Sequence, residues 1–127
     1  MLTGKQIAVT GAVLCSIAVA GGAFGAHALK AAVTPDRLET YKTAIAYMQW
    51  HSFGVLLMGY LYSRAGDVYF RNAAVLMLLG IIFFSGSLVV LVLTGKAFLG
   101  AVAPVGGVLF ISSWIYAAIG LNKHLAQ

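Results

Sequence analysis

Four long stretches of apolar residues dominate the chain. They cover approximately residues 7–29, 44–62, 72–93 and 98–121, and none contains Lys, Arg, Asp or Glu. Crossing about 30 Å of hydrocarbon takes about 20 residues of α-helix. The stretches are continuously apolar, whereas barrel strands alternate with polar residues, so we predict helices. The pattern therefore predicts an all-α integral membrane protein, in which residues 1–127 form one domain of four transmembrane helices in an up-and-down bundle.

Short connectors separate the four stretches. In the first connector, Thr34-Pro35-Asp36 is typical of an N-cap, an N1 proline and a first-turn acid, so the second helix should begin before its apolar stretch. The second connector is predicted to span residues 64–71, and residues 94–96 should form a turn. Pro104 is then expected to mark the start of the last helix. Connectors of this length favour antiparallel neighbours.

Composition agrees with a membrane location. The chain is 61% hydrophobic and only 9% charged, against about 25% charged residues in soluble domains. The net charge of +5 comes from basic residues scattered over connectors and tails, which indicates topogenic charge and contact with anionic lipid rather than nucleic acid. Cys15 is the only cysteine, which excludes an intramolecular disulfide. A signal peptide is disfavoured because the first apolar stretch continues to Leu29.

The basic residues do not decide the orientation. Four lie on each side of the predicted membrane: Lys30, Arg37, Lys42 and Lys96 on one, and Lys5, Arg64, Arg71 and Lys123 on the other. The free N-terminal amine favours an orientation of this multi-pass protein with both termini on the cytoplasmic side. Dual insertion stays an alternative.

Small residues recur on two faces of the first helix. One face holds Gly11, Cys15, Ala18, Gly22 and Gly25, and the nearly opposite face holds Ala12, Ser16, Ala20, Ala23 and His27. Small residues let helices approach closely in lipid. We therefore expect the first helix to be sandwiched between partners, with His27 facing protein, and we expect a homo-oligomer.

Polar residues converge on the leaflet of the first and third connectors. The candidate binding residues are His27, Tyr47, Gln49, His51, Ser85 and Ser87. The candidate helix-packing residues are Gly22, Gly25, Gly54, Gly86, Pro104, Gly106 and Gly107. His51 shares a helix face with Tyr47, and counting residues puts it about 11 Å below the membrane edge. An ionisable group at that depth is costly and usually functional, which makes His51 the strongest candidate.

Four segments, taken in order, stand out as a set: GAFGAHALK, LETYKTAIAYMQWH, FFSGSLVVLVLTG and GAVAPVGGVLFISSW. Together they resemble the signature stretches of the domain-of-unknown-function 423 family, small four-helix inner-membrane proteins of the YgdD/YwdK type. The resemblance implies the cytoplasmic membrane and four helices, but no particular reaction. Two details depart from the family pattern: Tyr47 is followed by Met48 rather than Gln, and the FSGSL run by Val89 rather than an aromatic residue.

The leading hypothesis is an oligomeric binding or transport protein for a lipid, a hydrophobic small molecule or an ion, with a pocket in the leaflet of the first and third connectors. The alternative is a non-catalytic structural or assembly subunit. No catalytic motif is found, and no Asp or Glu lies in a span to couple transport to protons. A haem or copper site would rest on His27 and His51, with Met48 or Met58 as a further ligand. The two histidines lie about 8 Å apart along the membrane normal, so they would not share one metal unless a helix slid. We expect no enzyme activity, no cofactor or metal and no binding of nucleic acid. Membrane lipids are the expected partners.

Overall fold

A helix forms over each of the four apolar stretches. The structure, a computed structural model, describes residues 1–125. The helices are α1 Gly4–His27, α2 Pro35–Ala65, α3 Val68–Gly80, α4 Ser87–Thr94 and α5 Ala103–Leu125. A π-helical segment, Ile81–Gly86, joins α3 to α4, so residues 68–94 form one continuous rod. Short 3₁₀ turns, Leu29–Ala31 and Ala97–Ala101, precede α2 and α5.

Three helical stretches are long and apolar enough to cross a membrane. They are Gly4–Ala31, Val68–Thr94 and Ala97–Leu125. α2 is 31 residues long but carries more polar residues and lies outside this set. The described residues therefore form an all-helical protein. By length and hydropathy it has three candidate spans, one fewer than the four predicted.

The helix ends follow local capping rules. Thr34 is the N-cap of α2 and accepts a hydrogen bond from the Arg37 amide at 3.4 Å, with Pro35 as the first helical residue, so the predicted start of the second helix is confirmed. Gly66 ends α2 with φ 68°, and Gly95 ends α4 with φ 75°. Glycine adopts this left-handed conformation without the steric cost that a Cβ brings. The second connector is thereby reduced to Gly66 and Asp67.

Opposite ends of neighbouring helices meet, which makes the arrangement up-and-down. The start of α1 lies against the end of α2, where Gly4 approaches Ser63, and Gly25 near the end of α1 lies under the Tyr41 ring. The same reversal relates α2 to the continuous rod of residues 68–94, where Gly54 meets Met77. It relates α5 to that rod through Gly106 with Phe84, Phe110 with Gly80, and Gly120 with Phe70.

α2 occupies the centre of the bundle. One of its faces packs on α1, and the opposite face packs on α3, the π-helical segment and α4. α5 packs mainly on α3 and the π-helical segment. α1 packs on α2 and has no comparable contact with the other described helices. The least apolar helix is thus the one that contacts the most other helices.

The expectation that α1 is sandwiched is wrong for the single chain. Its first small-residue face is covered by α2, where Gly11, Ala18 and Gly25 are buried. Its second face is fully open, with Ala12, Ser16, Ala20, Ala23 and His27 all exposed. The reason is that, among the described helices, α2 alone packs closely on α1, and one helix covers one face only.

The π-helical segment at Ile81–Gly86 was not predicted. The backbone of α5 comes closest to the rod here, because a Cβ built on Gly106 would collide with the amide nitrogen of Phe84. Ser87 donates to the carbonyl oxygens of Phe83 at 2.6 Å and Phe84 at 3.0 Å. A hydroxyl that bonds two carbonyls eases the local widening of the helix, where the regular i to i−4 ladder is interrupted.

Candidate functional site

His51 lies midway along α2, on the side that faces α5, and only 6% of its surface is exposed. The Trp114 indole Nε1 donates a hydrogen bond to His51 Nε2 at 3.0 Å. An indole N–H can only donate, so Nε2 must be the acceptor and the imidazole proton must be on Nδ1. His51 Nδ1 in turn donates to the backbone carbonyl oxygen of Tyr47 at 2.7 Å. Both nitrogens of a neutral imidazole are therefore engaged.

Aromatic rings enclose the His51 imidazole. The Phe110 ring stacks on it with centroids 3.5 Å apart and an interplanar angle of 12°. The Tyr47 ring lies nearly parallel to it at 6.1 Å, and Phe84 lies 4.7 Å from Tyr47. The predicted pairing of Tyr47 with His51 on one helix face is thus confirmed. We call the set of Tyr47, His51, Phe84, Phe110 and Trp114 the aromatic cluster.

The geometry of the aromatic cluster suits a packing contact that holds α2 against α5. His51 links α2 to α5 through a hydrogen bond and a ring stack, and neither ring nitrogen is left free for a proton relay or a metal ion. No group of three or more His, Cys, Asp or Glu side chains within residues 1–125 is arranged to hold a metal. Trp114, 43% exposed, was missed by the sequence reasoning because a helical period does not tell which residue of another helix reaches His51.

Buried serines lie along the interior of the bundle. Ser85, a predicted binding residue, is 2% exposed and Ser52 is fully buried, and neither hydroxyl has a hydrogen-bond partner among the described residues. Ser87, also predicted, is 7% exposed and is satisfied by two carbonyls of its own rod. The sequence singled out the two serines of the FFSGS run but gave no reason to select Ser52.

The remaining predicted binding residues lie away from the aromatic cluster. His27, at the end of α1, is exposed and its side chain makes no hydrogen bond within the described part of the chain, so the expectation that it faces protein is wrong for the single chain. Gln49 is half-buried and borders a shallow surface recess with Trp50 and Phe53. The structure therefore brings together Tyr47 and His51, but not the six candidate residues as one site.

A groove of about 250 Å³ lies between α1 and α2, close to the first connector. Its lining is almost wholly apolar and includes one charged side chain. The lining residues are Gly22, Gly25, Ala26, Tyr41, Lys42, Ile45 and Ala46. A Cβ built on Gly22 would meet only Ile45 Cγ2, at 3.8 Å, so a side chain there would enter the groove. None of the six candidate binding residues lines it.

The Tyr41 side chain closes one end of this groove. Its hydroxyl donates to the carbonyl oxygen of Gly21 at 2.6 Å, and its ring covers Gly25, where an added Cβ would lie 2.5 Å from Tyr41 Cε1. The glycines near the end of α1, in the GGAFG run at residues 21–25, have two separate roles. Gly25 admits the tyrosine ring, and Gly22 leaves open space beside it.

The predicted helix-packing residues divide into three groups. Gly25, Gly54 and Gly106 lie in close contact with a neighbouring helix, whereas Gly22 borders the groove. An added Cβ at Gly107 would have no neighbour within 4 Å, and one at Gly86 would meet only the carbonyl oxygen of Ile81, at 3.6 Å. Pro104 is exposed in the first turn of α5. Gly86, Gly107 and Pro104 therefore contribute little to close helix contact.

Several of the closest helix contacts involve glycines outside the list of predicted helix-packing residues, although Gly11 had been placed on a small-residue face of the first helix. A Cβ on Gly11 would collide with the Leu56 backbone, and one on Gly59 with the Ala8 backbone. Gly4, Gly80 and Gly120 are equally tight against Ser63, Phe110 and Phe70. The spacing of Gly4, Ala8 and Gly11, at three and four residues, was the available signal.

A polar cluster closes the opposite end of the protein. Asp67 caps α3 by accepting from the Tyr69 amide at 2.9 Å, and its other oxygen accepts from Lys123 Nζ and His124 Nε2, each at 3.0 Å. These hydrogen bonds, the one from the Tyr69 amide above all, hold the pKa of Asp67 at about 2, below its usual 3.8. Asp67 thus joins the start of α3 to the end of α5.

Fold and site together define an all-helical membrane protein whose interior carries a histidine-centred aromatic cluster. The chain belongs to the family described as Protein of unknown function (DUF423), whose family model matches residues 21–107. The resemblance of the four sequence segments to this family is thereby confirmed.

Three relatives extend the match to nearly the whole chain. YwdK of Bacillus subtilis is 36% identical over 122 residues, covering 95% of this chain and 99% of its own. A relative from Staphylococcus haemolyticus is 35% identical over 121 residues (95% and 98%), and one from Staphylococcus aureus is 40% identical over 119 residues (94% and 97%). All three are described as UPF0382 membrane proteins. No solved structure matches the chain.

Proposed function

We propose that this chain is a four-span protein of the bacterial cytoplasmic membrane that binds a lipid or another hydrophobic molecule in the groove between α1 and α2. The fourth span is α2. At 31 residues it is about 46 Å long, and its apolar stretch at 44–62 carries no charge. It runs antiparallel between α1 and the rod of residues 68–94. Its polar side chains His51 and Ser52 are buried in protein, so its low hydropathy does not expose them to lipid. Both termini are proposed to be cytoplasmic.

The groove is the observation that carries the proposal. Ligand sites are concave and mostly apolar, and this groove is the recess of the described chain that combines an apolar lining with a single cation, Lys42. Its volume of about 250 Å³ is below the usual 300–1,000 Å³ of sites for drug-sized molecules. It therefore fits a segment of a chain-like ligand better than a whole drug-like molecule. A binding role is favoured over catalysis and over an ion path through His51, because both nitrogens of that imidazole are engaged.

The test is to fill the groove without disturbing the helix contacts. Gly22→Leu places a side chain in the open space beside Ile45 Cγ2, the one neighbour of an added Cβ within 4 Å. Gly107→Leu is the matched control, because an added Cβ there has no neighbour within 4 Å and does not border the groove. Native mass spectrometry of the protein released gently from its membrane measures bound ligand in both variants.

The expected result is a defined bound mass on the wild type and on Gly107→Leu that is lost from Gly22→Leu. Equal occupancy of all three proteins, or only a loose population of bulk lipid on each, would contradict the proposal. A helical circular-dichroism spectrum and an unchanged thermal midpoint for Gly22→Leu establish that loss of ligand does not come from loss of fold.

A homo-oligomer is part of the proposal. The open face of α1 presents Ala12, Ser16, Ala20 and Ala23 to the outside, and small residues allow the close backbone approach that drives helix association in lipid. A bulky residue at the centre of that face, Ser16→Leu, should shift the protein toward monomer in the same mass spectra. Retention of the same assembly would exclude this face as the contact.

The aromatic cluster favours a second candidate function, a non-catalytic structural or assembly subunit. In that role the His51 contacts only hold α2 and α5 together. The Gly22→Leu experiment separates the two functions, because a structural subunit has no groove ligand to lose while its assembly depends on the helix contacts.

A further inference from the structure

We propose that the groove occupant is a phospholipid with a net negative headgroup, whose phosphate is held by Lys42 and whose first chain carbons lie between α1 and α2. This inference rests on the proposed function and assigns the chemical class of its ligand.

The position of Lys42 along α2 suggests a headgroup contact. Lys42 lies two residues before the apolar stretch at 44–62, which places its ammonium at the level where headgroups meet hydrocarbon. The lining of the groove continues from Lys42 down to Ala46, about 6 Å along the helix axis. A groove of that length accommodates the part of a lipid directly below its headgroup. A hydrophobic molecule dissolved deep in the membrane would gain nothing from Lys42.

Among the described residues, Lys42 is the only cationic side chain that lines the groove, and its hydrogen-bond donors are not all engaged. An ammonium has three donors, and one of them is given to Glu39 Oε1 at 2.9 Å. The Lys42 side chain is 59% exposed and the Glu39 side chain 71% exposed, so a phosphate can approach from outside. Glu39 competes for the same ammonium and should weaken the hold on an anion.

The neighbouring polar groups Tyr41 and Arg37 are engaged in other contacts, which leaves Lys42 to bind an anionic headgroup. The Tyr41 hydroxyl is committed to the carbonyl oxygen of Gly21 at 2.6 Å. The guanidinium of Arg37 donates to the carbonyl oxygen of Leu91 at 2.8 Å, which turns it toward α4 rather than toward the groove. A single available charge matches a phosphodiester with one net negative charge, such as phosphatidylglycerol. A zwitterionic headgroup adds an ammonium of its own that Lys42 would repel.

The test measures lipid choice rather than lipid binding alone. The full-length protein is placed in nanodiscs of equimolar phosphatidylglycerol and phosphatidylcholine with identical chains, and native mass spectrometry gives the ratio of the two lipids retained. We expect the wild type to prefer phosphatidylglycerol by about five-fold, the factor that one basic residue contributes near an anionic surface. Lys42→Gln should reduce the ratio to about one, and Lys42→Arg should keep it.

Two further variants make the result specific. Glu39→Gln should raise the ratio above the wild-type value, because it removes the competing carboxylate. Lys96→Gln removes an exposed lysine from the third connector, outside the groove, and should leave the ratio unchanged. A ratio of one for the wild type, or an equal fall in Lys42→Gln and Lys96→Gln, overturns the headgroup assignment.

The outcome also distinguishes this inference from the proposed function. If Gly22→Leu loses bound lipid while Lys42→Gln binds both lipids as the wild type does, the groove is a lipid site without headgroup selection. If Gly22→Leu retains all bound lipid, the groove is not the binding site and both proposals fail. If Lys42→Gln fails to fold, the opposite responses expected of Lys42→Arg and Glu39→Gln still decide the question.

Discussion

The two sides of α2 are packed in different ways. Toward α1 the contact is made by backbone and small residues, with Gly11 against Leu56 and Gly59 against Ala8. Toward α3 and α5 the contact is made by large side chains and by the hydrogen bond between Trp114 and His51. We call these contacts the glycine seam and the aromatic seam.

The difference between the seams follows from the solvent. In lipid no hydrophobic effect drives helices together, so close van der Waals contact and hydrogen bonds must do so. The glycine seam relies on close contact, which tolerates almost no added volume. The aromatic seam relies on the packing of large side chains and on a hydrogen bond. Side chains can shift to accommodate a substitution more easily than backbone can. Substitutions in the glycine seam should therefore have the larger effects.

The largest expected effect is that of Gly11→Leu. The added side chain would collide with the Leu56 backbone, and because backbone cannot move aside as a side chain can, α1 must separate from α2. We expect the free energy of unfolding to fall by about 3 kcal/mol, the upper end of the usual cost of overpacking. Thermal or denaturant unfolding in detergent measures it. Gly107→Leu is the control and should stay within about 0.5 kcal/mol of wild type. Equal effects of the two variants would show that the close approach of Gly11 to Leu56 does not determine the cost.

A smaller effect is expected at the aromatic seam from Trp114→Phe. This change keeps an aromatic ring but removes the donor to His51 Nε2, so it should cost about 1 kcal/mol, within the range of interhelical hydrogen bonds in membranes. A double-mutant cycle with His51→Ala should give a coupling energy of similar size. Trp50→Phe, at a tryptophan that is 72% exposed, should show no coupling to His51→Ala. A coupling near zero for Trp114 would mean that the bond does not stabilise the seam.

The smallest effect is expected where Asp67 joins the ends of α3 and α5. Its pKa is about 2 in the folded protein against a usual 3.8. A lowered pKa of an acid means stabilisation that is complete above about pH 4 and is lost as the pH falls toward 2. The thermal midpoint should therefore drop more between pH 5 and pH 2 for the wild type than for Asp67→Asn. Parallel falls in the two proteins would show that Asp67 is not held by Tyr69, His124 and Lys123.

The predictions made from sequence succeed where a property is local. The cap at Thr34 and the left-handed turn at Gly95 depend on neighbouring residues alone. The shared face of Tyr47 and His51 follows from the helical period. Ser52, Trp114 and the π-helical segment could not be predicted in the same way, because their significance depends on residues of another helix.

The sequence by itself determined that this is an all-helical membrane protein, where its second helix begins, and to which family it belongs. Long uncharged apolar stretches and capping residues are sufficient for that, since they act within one helix. Only the tertiary structure decided that α2 is central, that α1 is covered on one face, and that Trp114 is the partner of His51. The rotation and register of one helix against another depend on contacts between distant residues, and a helical period specifies faces without specifying which of them meet.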